Sequence, residues 1–316
     1  MTTTQTGAEQ AGAEQAGADR RTPDAAPGPI DRAPAGLRPY LRLMRADRPA
    51  GVWLLFLPCL WGVLAARPEG FGAGEGLRLT ALFAVGAFVM RSAGCAYNDV
   101  VDRDLDARVA RTASRPLPSG QLSVRGAWGL IVGLSLVGLA VLVQLPPPAV
   151  LAGLASLGLV AAYPFMKRVT WWPQAWLGLT FNWGVIVGAA AASGGVPPPA
   201  LLAYAAGIAW TLGYDTIYAC QDIEDDALAG VKSSARALGD RARGAVAAFY
   251  AVAGGLLLAA LLAAGAGALA LLAALPAGHL AWQAARFDPH DEAGCLRLFK
   301  SNVWTGALAA LALLAA

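Results

Sequence analysis

Apolar runs separated by short polar breaks occupy most of the chain from residue 49 onward. They fall at 49–66, 76–97, 124–144, 149–165, 173–193, 199–221, 244–264, 266–284 and 301–316. Each is near the ~20 residues that an α-helix needs to cross a bilayer. The breaks carry the usual loop residues, as at Pro146-Pro147-Pro148 and at 194–199, which reads GGVPPP. The seventh and eighth runs nearly fuse and the ninth is short, so the pattern admits eight or nine spanning helices. One such run alone is compatible with a buried helix of a soluble protein, but nine in series are not. The predicted fold class is all-α, a polytopic membrane protein of about nine transmembrane helices.

Composition agrees with the pattern. Of the 316 residues 57% are hydrophobic and 14% charged, against roughly a quarter charged in an average soluble domain. A soluble fold of this length needs more polar surface than that. The net charge of +3 gives no support to nucleic-acid binding, and the four cysteines stand too far apart for a metal-ligand or disulfide pattern. The N-terminal stretch differs from the rest. Residues 7–20 repeat a short polar unit, GAEQAGAEQAGADR, and prolines follow at 23, 27 and 34. It is expected to be a disordered tail over 1–38, followed by a transmembrane domain over 39–316. Its five acids set it apart from an acid-poor organelle import peptide, and it lacks the apolar core of a secretory signal.

The positions of the basic residues orient the helices. If the breaks alternate sides, 21 of the 24 Lys and Arg lie on the side of the N-terminus. Only Arg67 and Arg78 lie on the other side, and Arg91 falls inside the second run. This bias places the N-terminal side in the cytoplasm.

Beyond the tail the acids gather in two clusters on that same side. The first ends the second run, with Asn98, Asp99, Asp102, Asp104 and Asp106; the second ends the sixth, with Asp215, Asp222, Glu224, Asp225 and Asp226. In a helix Asn98, Asp102 and Asp106 share one face, as do Asp222 and Asp226, with Asp215 seven residues earlier on the same stripe. Asp99, Asp104 and Asp225 point elsewhere and are expected to be solvated. Carboxylates stacked at i, i+4 repel unless a cation sits between them. Hard oxygens at this spacing suit Mg²⁺, which takes one or two carboxylates together with a substrate phosphate. Arg111, Arg115, Lys167, Lys232 and Arg236 stand nearby in sequence and suit the remaining charge of a diphosphate. Exposed loop acids are the plain alternative for either cluster alone, but two with matched spacing on one side argue for a site.

The halves of the chain also look related. Trp61-Gly62-Val63 recurs as Trp183-Gly184-Val185, and Asn98 and Asp102 map onto Asp222 and Asp226 at nearly the same offset. A parallel duplication would bring the two acidic helix ends together at one central cavity. Arg91, seven residues before Asn98, shares the first acidic stripe, and a charge within a membrane helix normally faces a cavity or partner. Snorkelling is the alternative. At the cavity, Arg91 is a natural partner for a small carboxylate. Tyr163 and Lys167, at i, i+4, suit either a ligand role or interfacial anchoring, while Trp171, Trp172 and Trp176 read as an interfacial belt. His279 and His290 are isolated.

Four strings carry a family resemblance. GCAYNDVVDRDLDARVARTASRPLPSG (94–120) resembles the first signature of the UbiA prenyltransferase family, and YDTIYACQDIEDDALAGVKSSA (214–235) its second. YPFMKRVTWWPQAWLGLTFNWG (163–184) and MRADRP (44–49) resemble the form found in its 4-hydroxybenzoate polyprenyltransferases of ubiquinone biosynthesis. The resemblance spans about 44 to 316. It implies nine transmembrane helices around a cavity open to lipid, a Mg²⁺-dependent reaction, and polyprenyl diphosphate and 4-hydroxybenzoate as substrates. It places Asn98, Asp102 and Asp106 in the first metal–diphosphate motif and Asp222 and Asp226 in the second. It sets Arg91, Tyr163 and Lys167 around the aromatic acceptor and the diphosphate. Arg45, just before the first run, is the alternative partner for the acid's carboxylate. A carboxylate near the phenol takes up the ring proton, and Asp215 is the candidate. Gln221 and Ile223 depart from residues often found in the subgroup, and the tail has no counterpart. The implied location is a bacterial cell inner membrane, with the site facing the cytoplasm. The alternatives are a sibling prenyltransferase with another acceptor and a secondary transporter. Transporters place their charges near the midplane with broken helices, whereas these acids cluster at one face. A CDP-alcohol phosphotransferase is excluded by the missing D-G-x2-A-R spacing.

Overall fold

The computed structural model describes residues 28–108, 112–228 and 230–315. Every regular element among them is a helix. In chain order the α-helices are α1 (Arg38–Leu43), α2 (Ala50–Ala66), α3 (Ala73–Asp106), α4 (Val124–Leu142), α5 (Pro147–Val169), α6 (Pro173–Ser193), α7 (Pro198–Ala219), α8 (Ile223–Leu228), α9 (Ser234–Leu238), α10 (Ala242–Ala263), α11 (Ala274–Arg286) and α12 (Glu292–Ala315). Each apolar run of the sequence is helical. Among the described residues seven helices are long and apolar enough to cross a membrane; α2, at 17 residues, and α7 are outside that set. The protein is a multi-pass membrane protein.

Two boundaries differ from the sequence reading, and a third point that it left open is decided. The ninth helix begins at Glu292 and runs 24 residues, because Arg297 and Lys300 continue it rather than ending it. The seventh and eighth runs are parted at Gly265, whose φ of +81° stops α10. There the Ala266 N–H reaches the Leu261 carbonyl at 3.1 Å and the Gly265 N–H reaches that of Leu262 at 3.0 Å, a Schellman ending. The other changed boundary is that of α3, which is 34 residues long and unbroken to Asp106. At 1.5 Å per residue it measures about 51 Å, well beyond the ~30 Å of hydrocarbon. The first acidic cluster therefore lies on the last turns of a helix rather than in a loop. Residues 1–27 lie outside the described residues. Within the remainder of the expected tail, Pro29–Arg32 form a 3-10 turn, and Asp31 stands 3.5 Å from Arg42.

The chain divides into two compact units, residues 1–49 with 92–134, and residues 50–91 with 135–316. In the first, Leu43, Ala96, Leu117, Leu122, Ala127 and Ile131 form a small buried core. In the second, α2 packs against α6 along the two Trp-Gly-Val copies. Gly62 lies against the Val185 backbone, and Gly184 and Gly188 lie against Cys59. A side chain at any of the three would collide with the facing helix, so the repeated glycines set the close approach that membrane helices use in place of a hydrophobic drive. Behind this crossing, Trp61 and Trp210 pack at 5.1 Å between ring centroids. The Trp210 indole donates to Asn302 at 2.7 Å, the Asn302 amide to Gln283 at 3.1 Å, and the Tyr250 hydroxyl to Gln283 at 2.7 Å. Polar side chains at membrane depth stay because they satisfy one another. His279, isolated in the sequence, joins this group through Thr305 at 2.7 Å.

Candidate active site

The first acidic end is built on α3. Because that helix is continuous, Asn98, Asp102 and Asp106 occupy one stripe at successive turns, as their spacing predicts. Asp102 is fully buried and Asp106 nearly so. Asp104 points away, with its side chain 80% exposed, and pairs locally with Arg103.

Asp99 departs from the expectation of a solvated side chain. It is fully buried, and Arg45 Nη2 donates to both of its oxygens, at 2.7 and 3.0 Å. Arg115 Nη1 lies 3.4 Å from Asp99 and 2.6 Å from Asp106. Two arginines from separate segments therefore interleave with two acids of the helix end. They supply part of the compensation that the sequence reading assigned to a metal alone. They also offset the penalty of placing carboxylates at a helix C-terminus, where the macrodipole is negative. The Thr112 hydroxyl donates to the Asp106 carbonyl at 2.8 Å, occupying one of the carbonyls that a helix end leaves open.

Arg45 reaches Asp99 through an uncommon backbone. The α1 helix ends in the same Schellman pattern as α10, with Ala46 N–H to Leu41 carbonyl at 3.1 Å and Arg45 N–H to Arg42 carbonyl at 3.0 Å. The position that Gly265 fills in α10 is filled here by Arg45, at φ +56°. It is the one non-glycine residue with positive φ among the described residues. Arg45, the alternative partner for a substrate carboxylate, is thus engaged with a carboxylate of the protein. Arg111 lies outside the described residues.

The second acidic end is not one continuous helix. After α7 stops at Ala219, Cys220–Asp222 form a 3-10 turn before α8. Three residues at 3.0 rather than 3.6 per turn rotate the stripe by about 60°. Asp215 is therefore out of line with Asp226, contrary to the expected single face. Asp215 and Asp226 are half-buried; the Asp222 and Asp225 side chains lie outside what is described.

A loop carrying the next basic residues is bound to the end of α5. The Lys232 N–H reaches the Lys167 carbonyl at 3.0 Å, and Lys232 Nζ the Val169 carbonyl at 3.2 Å. Arg236 donates to the carbonyls of Asp226 and Val231 and lies 5.4 Å from the Trp171 ring. These two cations shape the loop. Gln174, which no sequence signal marked, accepts from the Ser234 N–H at 3.0 Å. Ser234 in turn meets Thr216, next to Asp215, at 2.7 Å. Tyr163 and Lys167 are half-buried one turn apart on α5. Trp171 and Trp172 are exposed, as a belt requires, but the Trp176 indole donates to the Leu159 carbonyl at 2.9 Å and ties α6 to α5. Arg91 is half-buried on α3, seven residues before Asn98.

Among the described residues no three His, Cys, Asp or Glu side chains converge as a ready-made metal cage. The hard oxygens of Asp102 and Asp106, one turn apart on α3, fit a cation that completes its shell with phosphate and water, as Mg²⁺ does.

Residues 55–312 match the UbiA prenyltransferase family. The chain is 43% identical over 279 residues to the mitochondrial 4-hydroxybenzoate polyprenyltransferase of Caenorhabditis elegans, covering 88% of this chain and 78% of that one. The apo structure of a UbiA homolog from Aeropyrum pernix K1 superposes with a TM-score of 0.70 at 30% identity, over 83% of this chain and 96% of that one. A UbiA homolog from Archaeoglobus fulgidus bound to GPP and Mg²⁺ gives a TM-score of 0.66 over 88% of this chain and 100% of that one. At 20% identity, that second likeness is one of fold.

Proposed function

The chain belongs to the UbiA prenyltransferase family, and we propose that it transfers a polyprenyl group to 4-hydroxybenzoate, at the ring carbon ortho to the hydroxyl, as a step of ubiquinone biosynthesis. The carrying observation is the stripe Asn98, Asp102 and Asp106 on one unbroken helix in a chain 43% identical to a protein of that named activity. We assign Asn98, Asp102, Asp106, Asp222 and Asp226 to Mg²⁺ and the diphosphate. Lys167, with Tyr163 one turn before it, is the proposed diphosphate contact, and Arg91 the partner of the acid's carboxylate. Arg45 and Arg115 hold Asp99 and Asp106 in place.

Bound Mg²⁺ neutralises the diphosphate oxygens and so eases their departure. Lys167 adds a fixed positive charge where the leaving group gains negative charge. The allylic C–O bond breaks with its electron pair going to the diphosphate, and the ring π electrons form the new C–C bond. The ring proton at that carbon passes to a carboxylate, for which Asp215 is the proposed acceptor. Exclusion of water protects the allylic cation meanwhile. Membranes carrying the protein, given labelled 4-hydroxybenzoate and a polyprenyl diphosphate, are expected to form a lipid-extractable labelled product with Mg²⁺ and none with a chelator. Absence of product under both conditions sinks the reading.

We further propose a bacterial inner membrane, with both acidic ends in the cytoplasm, on the strength of the 21-to-2 distribution of basic residues. In a cysteine-free background, Asp104→Cys is expected to react with an impermeant thiol reagent only from the cytoplasmic side, and Glu69→Cys only from the other. Both positions are exposed. Labelling of position 104 from the periplasm inverts the topology.

A further inference from the structure

Arg91 and the first turn of α2 meet at a position where a side chain is missing. Gly51 is the second residue of α2 and is buried. A Cβ built on it would stand 2.6 Å from Arg91 Nε, 2.6 Å from Nη2 and 3.0 Å from Cζ. Carbon needs about 3.5 Å from such neighbours, so the guanidinium occupies space that any other residue at 51 would fill. We propose that Gly51 is a positioning residue for the acid substrate: the bare backbone of α2 sets where the Arg91 guanidinium lies, and so where the carboxylate of 4-hydroxybenzoate is held. This rests on the assignment of Arg91 to that carboxylate.

The geometry separates this role from a packing role. All three close atoms belong to the tip of one flexible side chain, and none is backbone. At Gly62 and Gly188, by contrast, the nearest atoms are main chain, of Val185 and Cys59; substitution there pushes helices apart. At Gly51 only the guanidinium has to move, by about 1 Å to restore contact distance. Alanine is the better helix former, so Gly51→Ala should insert and melt like the parent. A displacement of this size in a group that orients a reactant is enough for large losses. A guanidinium binds a carboxylate as a planar fork, so a shifted or tilted fork loses one of its two bonds. The prenyl diphosphate, held by other residues, should not register the change.

The test is a pair of substrate titrations on purified protein in detergent, for the parent, Gly51→Ala, Arg91→Lys and the double variant. Gly51→Ala is expected to raise the KM for 4-hydroxybenzoate about tenfold, with the KM for the polyprenyl diphosphate within twofold and the melting temperature unchanged. The preference for 4-hydroxybenzoate over its methyl ester, which lacks the charge, should fall with it. Because both substitutions act through one guanidinium, the double variant should be no worse than Arg91→Lys alone. A merely structural glycine would give additive losses and affect both substrates. If Arg91→Lys raises the acid KM but Gly51→Ala does not, the positioning role of Gly51 is wrong while the site reading stands. If Arg91→Lys leaves the acid KM unmoved, the assignment of Arg91 is wrong, and the proposal falls with it.

Discussion

Asp102→Asn is expected to lower turnover by about 100-fold or more, while membrane yield and melting temperature stay near those of the parent. Asp102 is fully buried on the one stripe of α3 that also carries Asn98 and Asp106. Asparagine keeps the shape and one acceptor oxygen, replaces the other with an NH2 donor and removes the charge. Partners one shell out from a metal cost 10–100-fold when lost, so a direct ligand should reach or exceed the upper end. The fold should be kept, because asparagine fills the same volume as aspartate. The Mg²⁺ concentration for half-maximal rate should rise in parallel, and Asp226→Asn should behave alike. Asp104→Asn, exposed and off the stripe, should stay within about twofold of the parent. Product formation near the parent rate from both Asp102→Asn and Asp226→Asn would falsify the metal–diphosphate assignment.

Asp99→Ala is expected to do the opposite, damaging stability first and activity as a consequence. Its carboxylate is the shared partner of Arg45 at 2.7 Å and Arg115 at 3.4 Å, with both arginine side chains less than 15% exposed. Removing it leaves two like charges side by side in a desolvated place. Loss of one partner from a buried pair costs about 3–5 kcal/mol. It also removes what holds Arg45 in the left-handed region, a conformation that costs a non-glycine residue roughly 1–2 kcal/mol. Arg115 then has only Asp106 to hold, and the end of α3 loses its tie to the segment before α2. Arg45→Gly should be far milder, since glycine suits φ +56° and Asp99 keeps Arg115. The order of melting temperatures in detergent should therefore be Arg45→Gly above Asp99→Ala. Combining the two should recover part of the loss by removing one of the two arginines that crowd the site once Asp99 is gone. A double variant that melts below Asp99→Ala shows the pair is not coupled in this way.

The hydrophobic pattern was enough to place every long helix, because a lipid-facing segment must satisfy its own backbone and signals this by composition alone. The spacing of Asn98, Asp102 and Asp106 was also enough to put them on one face, since α3 stays regular through Asp106 and periodicity is a local property. The same reasoning failed for Asp215 and Asp226, between which a 3-10 turn intervenes. Nothing between Ala219 and Ile223 has the Gly or Pro that announces such a change.

What the sequence determined by itself is what a short window holds: the long apolar helices, the acidic stripe that ends α3 and the family signatures. The tertiary structure alone decided which of those residues have partners. Asp99 looks like a solvated acid until Arg45, 54 residues earlier, is folded onto it, and Arg45 looks like a loop cation until its φ is known. Gly51 is one glycine among 37 until Arg91, 40 positions away, is found against it. Helical period fixes which way a side chain points from its own helix. It does not fix which segment comes to meet it, because that depends on the packing of helices distant in the chain.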